Sequence, residues 1–98
     1  MAKLTITGNV IAKEDQIDFV KAELEKLIAP TRAEEGCLQY DLHQDNEDPK
    51  YFMFYENWQN RDLWQTHMNN DHLKAFQDAT DGKLEKIWVH ELPHIGCS

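Results

Sequence analysis

The sequence predicts a single α+β domain in which two helical stretches sit among four strands, in the order β-α-β-β-α-β. Three observations carry that reading. Residues 3–12 alternate apolar and polar side chains, residues 37–58 read as two strands joined by turn chemistry, and apolar residues recur at helical spacing on either side of that hairpin. The 98 residues leave room for one domain spanning 1–98.

The first strand, from about Lys3 to Ala12, has Leu4, Ile6 and Val10 alternating with Thr5, Thr7 and Asn9. Glu14-Asp15-Gln16 supplies an acidic first turn, and Ile17, Val20, Leu24, Leu27 and Ile28 follow at helical spacing. This helix is expected to reach Ala33 or Glu34, with Gly36 as its stop and a kink or tightened turn at Pro30. Cys37–Gln44 and Tyr51–Trp58 form the hairpin around Asp45-Asn46-Glu47-Asp48-Pro49-Lys50. Asn60 caps a second helical region carrying Leu63, Trp64, His67 and Met68, and Asn69-Asn70-Asp71 interrupts it. Asp71 is expected to cap a further helix bearing Leu73, Phe76 and Leu84. Lys86–Leu92 is the last strand, stopped by Pro93. A single repeat in this order is a ferredoxin-like sandwich, an antiparallel sheet with helices on one face.

The hairpin register decides which residues meet the helices. A six-residue turn pairs His43 with Phe52 and sorts Leu38, Tyr40, Leu42, Met53 and Tyr55 onto one face. Cys37, Gln39, Asp41, His43, Phe52, Phe54, Glu56 and Trp58 fall on the other, beneath the helices. The first set is apolar enough to need cover, at about 25 cal/mol per Å², and the simplest cover is a second copy of the chain. A homodimer is therefore expected.

Charge and cysteine content narrow the function classes. Ten basic against 18 acidic side chains give a formal net charge of -8, which disfavours nucleic acid and anionic membrane surfaces as partners. Cys37 and Cys97 make no disulfide framework and fit no zinc knuckle. No apolar run approaches the about 20 residues that span a bilayer, and the opening residues run straight into a strand. A cytoplasmic protein with free thiols is expected.

The helix-facing side of the hairpin mixes aromatic with polar groups, as small-molecule pockets do. Its expected walls are Phe54, Trp58, Glu56 and His43 from the sheet, with Trp64, His67 and His72 from the helices. The same aromatics would also serve as ordinary core. His67 shares a helical side with Leu63 and Trp64, so it should face the sheet, where an imidazole titrating near neutrality suits acid-base work. His72 is a second candidate, although it can also serve the helix start beside Asp71. As metal ligands the two histidines are poor, because five residues on one helix put them about 140–150° apart, not on one face. No metal or cofactor is expected. Glu56 is either a buried carboxylate of raised pKa or an ion-pair partner of Arg32 or Lys74. Cys37 lacks a neighbouring base and reads as a small packed residue, and no nucleotide-binding or hydrolase motif occurs.

Three stretches taken together resemble a known family. Glu35-Gly36-Cys37-Leu38-Gln39-Tyr40, Tyr55-Glu56-Asn57-Trp58 and His67-Met68-Asn69-Asn70-Asp71-His72-Leu73 are similar to the strand, strand-end and helix-pair motifs of the antibiotic biosynthesis monooxygenase (ABM) domain. The resemblance spans essentially the whole chain. It implies a dimeric α/β-barrel assembly and an oxidoreductase role, as in cofactor-free oxygenases of quinols and polyketide anthrones. It equally admits haem-degrading enzymes and isomerases of phosphorylated autoinducer-2. The haem-degrading branch has a helix Trp and a later His where this chain has His67 and Gln77. Anthrone oxygenases keep a strand-end Trp, matched by Trp58, but have Asn at the position of Phe54. What the resemblance implies best is a quinol-oxygenase-like enzyme using O2, with catalytic His67 and His72 and a pocket of Trp58, Phe54, Glu56, Trp64 and His43. The isomerase, with Lys83 and Lys86 near a substrate phosphate, and a non-catalytic binding dimer stay open.

Overall fold

The computed structural model describes residues 3–96; Cys97, expected to be a free thiol, lies outside them. The strands are β1 (Leu4–Ala12), β2 (Cys37–Gln44), β3 (Tyr51–Trp58) and β4 (Leu84–Pro93), all antiparallel in the order β2-β3-β1-β4. The helices α1 (Ile17–Glu25), α2 (Ile28–Arg32), α3 (Arg61–Met68) and α4 (Asp71–Ala79) make up the other layer. This is the ferredoxin-like α+β fold expected from the strand and helix order.

Each expected helical region is divided in two. The first breaks at Lys26–Leu27, because Pro30 lacks an N–H and its ring crowds the carbonyl of Lys26. The expected kink is therefore a full interruption. The second breaks at Asn69–Asn70, and Asn70, not Asp71, holds the N-cap position of α4. Leu84, expected on that helix, instead opens β4, which runs through Pro93 at its exposed end.

The hairpin register differs from the expected one by a single step. His43 lies opposite Met53 and Gln44 opposite Phe52, because the Asp45 amide donates to the Tyr51 carbonyl (3.0 Å) and closes the turn over five residues instead of six. A one-residue step turns the side chains of Gln39 to Gln44 over. Tyr40, opposite Glu56, and Leu42, opposite Phe54, now face the helices, whereas His43 faces away from them. A bulge between Cys37 and Gln39 leaves Leu38 unpaired and exposed. The physical preference is plain: Tyr40 is buried and stacks on Phe54 with ring centroids 4.4 Å apart. Tyr40 thus cannot belong to an open apolar face. That face carries Met53, Tyr55 and Leu92, together with the polar residues Thr5, Asn9 and Asn57.

Beneath the helices the core forms two parts. Val10, Val20, Leu24, Leu27, Phe52, Phe54 and Phe76 pack at one end. Leu4, Ile6, Trp58 and Trp64 pack at the other. Among the described residues no helix is long and apolar enough to cross a membrane.

Candidate functional site

The site begins where α2 turns into β2. Glu34 closes a turn on Thr31 (its amide to the Thr31 carbonyl, 3.0 Å), and Gly36 follows at φ +85°. A Cβ at Gly36 would overlap the Leu63 side chain, so only glycine lets this corner sit against α3. Glu34 is thereby held facing the α3–α4 junction. An acidic residue just past a helix C-terminus opposes the helix dipole. Partners brought from elsewhere in the chain offset that conflict.

Those partners come from the broken helix. The Asn60 side chain accepts from the Leu63 amide (2.9 Å) and starts α3, as expected, which puts His67 in its last turn. The break then starts α4 afresh, with His72 in its first turn. Because two helices carry them, the one-helix angle that separated the histidines no longer applies, and their ring centroids lie 6.0 Å apart. His67 Nδ1 is 2.6 Å and His72 Nε2 2.9 Å from the same oxygen, Glu34 Oε2. The Asn70 side-chain amide donates to Glu34 Oε1 (2.6 Å), and the Thr31 hydroxyl lies 3.3 Å from His72 Nε2. A carboxylate only accepts, so the proton on His67 sits on Nδ1 and the lone pair on Nε2. Among the described residues, Nε2 has no hydrogen-bond partner.

His67 is 2% exposed, with Trp58 at 4.7 Å and Tyr40 at 5.7 Å between ring centroids. Burial pushes its pKa below the ordinary 6.5, against the opposing pull of Glu34, so the ring is neutral at neutral pH. The ring borders an open hollow of about 80 Å³ between the sheet and α1 and α4. Tyr40, Phe54, Leu73 and Phe76 give it apolar walls, Glu56 a carboxyl group, and Ile87 and Val89 its exposed rim. Glu56 is buried beside Gly8, where a Cβ would come within 3.3 Å of Oε2. Among the described residues its one side-chain hydrogen bond is from Trp58 Nε1 to Oε1 (2.9 Å). With no cation in reach, burial pushes its pKa up to about 7. Of the two readings open for Glu56, the buried carboxyl is the one observed; Arg32 pairs with exposed Asp41 instead.

Of the expected pocket residues, Phe54, Glu56 and His67 meet around the hollow. Trp58 is fully buried behind His67, and Trp64 packs in the neighbouring core with its Nε1 unpartnered. His72 stands on the far side of Glu34. His43 is misplaced by the register: it lies on the other face, exposed and bonded to the Met53 carbonyl. Cys37 is half-buried and its thiol pKa is raised by burial, in keeping with a packed residue. Sequence reasoning missed Glu34, Asn70 and Tyr40. The available signal was the acidic pair Glu34-Glu35 at a helix C-terminus, a local conflict of the kind functional sites carry.

Comparison with known proteins fits this arrangement. Residues 4–79 match the family described as antibiotic biosynthesis monooxygenase. The chain belongs to that family. The ABM fold here is similar to the crystal structure of PA3566 from Pseudomonas aeruginosa, at 32% identity and TM-score 0.92, covering 98% of this chain and 97% of that one. Rv0793 from Mycobacterium tuberculosis shares the fold at 22% identity and TM-score 0.89, with 98% of each chain covered. The Synechocystis protein sll1783 is 28% identical over 83 residues, 85% of this chain but 56% of its own length. The ABM chain thus spans little more than half of that relative.

Proposed function

We propose that this ABM protein is a cofactor-independent monooxygenase that oxidises a small phenol- or quinol-type aromatic with O2, using His67 as general base. The observation that supports it is the Glu34–His67 pair at the wall of an apolar hollow, with Nδ1 engaged and Nε2 left to a ligand. A substrate ring packs among Tyr40, Phe54 and Phe76, and its hydroxyl gives a proton to His67 Nε2 while Glu34 stabilises the imidazolium. The phenolate passes one electron to O2, and the resulting radical and superoxide join through a new ring C–O bond. His67 returns its proton to the peroxide. The ring C–H proton then leaves as the O–O bond breaks, so one oxygen stays as a carbonyl and the other departs as water. For a quinol the balance is quinol plus O2 to hydroxyquinone plus water. Glu56, about half protonated at pH 7, hydrogen-bonds a second substrate oxygen, and His72 and Asn70 hold Glu34. Trp58 backs the His67 ring.

The isomerase reading has less support, because a phosphate needs a cation and no Lys or Arg lines the hollow. Lys83 and Lys86 lie over the rings of Phe19 and Trp88. We assign the pairing surface of a homodimer to the open sheet face, where Tyr55 and Leu92 remain exposed. A stable pair buries about 1,200 Å² or more, and a monomer at micromolar concentration by light scattering would overturn it.

The test of the reaction is oxygen uptake with menadiol. His67→Ala should lower the rate about 10²-fold or more with the fold retained by circular dichroism. No uptake by the wild type with menadiol and simple phenols, or an unchanged rate in the variant, would overturn the reading.

A further inference from the structure

We infer that Glu34, His67 and His72 form a binding site for one divalent ion of the zinc class, facing away from the hollow. The three side chains come from the α2–β2 corner, α3 and α4, and their donor atoms all lie within 4.8 Å of one another. Two imidazole nitrogens and one carboxylate oxygen are the donor set that suits Zn²⁺, Co²⁺ or Ni²⁺, whereas Mg²⁺ and Ca²⁺ take oxygen ligands. Tetrahedral bonds of about 2.0–2.2 Å place donor atoms about 3.3–3.5 Å apart. The observed 2.6 and 2.9 Å contacts open by about 1 Å or less, and the two imidazole nitrogens, within 4.8 Å of one another, adjust to the same spacing as the ion enters.

The surroundings supply what such a site needs. Asn70 fixes the second carboxylate oxygen, as outer partners of metal ligands do. Side-chain exposure of 23% at His72 and 12% at Glu34 opens the cluster to solvent, so an ion enters without passing through the hollow. The chain's net charge of -8 raises the local concentration of cations. One ion replaces the two N–H groups now directed at Glu34 Oε2, and the proton of each neutral imidazole moves, through solvent, to its other nitrogen. For His67 that nitrogen is Nε2. Metal binding therefore turns the lone pair offered to the hollow into an N–H donor, which places the ion as an inhibitor of the proposed base.

This last step rests on the proposed function; the binding itself does not. The experiment titrates the full chain, stripped with chelator, with Co²⁺ followed by visible absorption and with Zn²⁺ followed by calorimetry. One saturable ion per chain is expected. His72→Ala and Glu34→Gln should each weaken it more than about 100-fold, beyond the 10–100-fold that loss of an outer partner costs. Asn70→Ala should weaken it about 10-fold, and His43→Ala, on the opposite face, should leave it unchanged. Should Glu34→Gln fail to fold, the more exposed His72→Ala decides alone. Absence of saturable binding in the wild type, or full binding in His72→Ala, overturns the site. If Zn²⁺ binds but no aromatic is oxidised, the oxygenase reading falls and the metal site stands. Zn²⁺ inhibition of menadiol oxidation, reversed by chelator, would confirm both.

Discussion

The two faces of the sheet are built from the same alternating strands, yet they satisfy their polar groups in opposite ways. On the open face, polar side chains pair with one another: the Thr5 hydroxyl donates to Asn57 Oδ1 (2.6 Å), and Tyr51 donates to Asn9. Its charged neighbour, the Arg32–Asp41 pair, is solvated and of the sort worth little. On the covered face, the ionisable groups beneath the helices, Glu56 and His67, are desolvated. Among the described residues Glu56 has one side-chain hydrogen bond and no counter-ion, and His67 depends on Glu34 reaching it from another element. Burial, more than the number of charges, therefore concentrates the chemistry on one side.

The contrast is open to direct attack, beginning with Glu56. Its folded pKa of about 7 lies above the ordinary 4.5, so between those values the folded chain holds a proton that the unfolded chain has released. Its contribution is fully present below about pH 4.5 and is lost as pH rises through about 7. The shift corresponds to about 3 kcal/mol at most. Urea unfolding of wild type and Glu56→Gln should therefore diverge between pH 5 and pH 8, with the variant gaining on the wild type toward pH 8. Parallel stability curves would show that Glu56 is solvated after all. His67 works the other way. Its folded pKa lies below 6.5, so stability falls as pH drops through 6.5, where the unfolded chain takes up a proton first. His67→Gln should flatten that acid limb.

Next in size is the partner of His67. Glu34→Ala leaves a buried N–H without an acceptor, which should cost about 1–3 kcal/mol in chemical denaturation. A smaller loss would mean that water reaches Nδ1. The same magnitude is expected at Gly36→Ala, where a left-handed backbone and the Leu63 side chain both resist a Cβ. The smallest effect belongs to a solvated ion pair at the edge of the helix layer. Arg61→Ala removes an exposed pair with Glu91 and should change stability by about 1 kcal/mol or less, an effect further reduced by added salt.

Much of the fold was legible from local pattern. The alternation of β1, the turn chemistry of the hairpin and the Asn60 cap each depend on neighbours a few residues away, and each appears where expected. The placement of His67 toward the sheet followed from its helical spacing with Leu63 and Trp64. The register of β2 was not legible, because a loop one residue longer or shorter costs almost nothing locally yet exchanges Tyr40 for His43 beneath the helices.

The sequence by itself thus determined the order of the elements, the face on which His67 lies and the aromatic character of its surroundings. Only the tertiary structure decided that Glu34 would be its partner, that His72 would share the same oxygen, and that Glu56 would be left without a cation. The reason is physical. Strand and helix signals repeat over two to four residues and are written into the local chain. The Glu34 contact joins positions 33 and 38 residues apart, and it exists because Gly36 turns one corner and the Asn69–Asn70 break turns another.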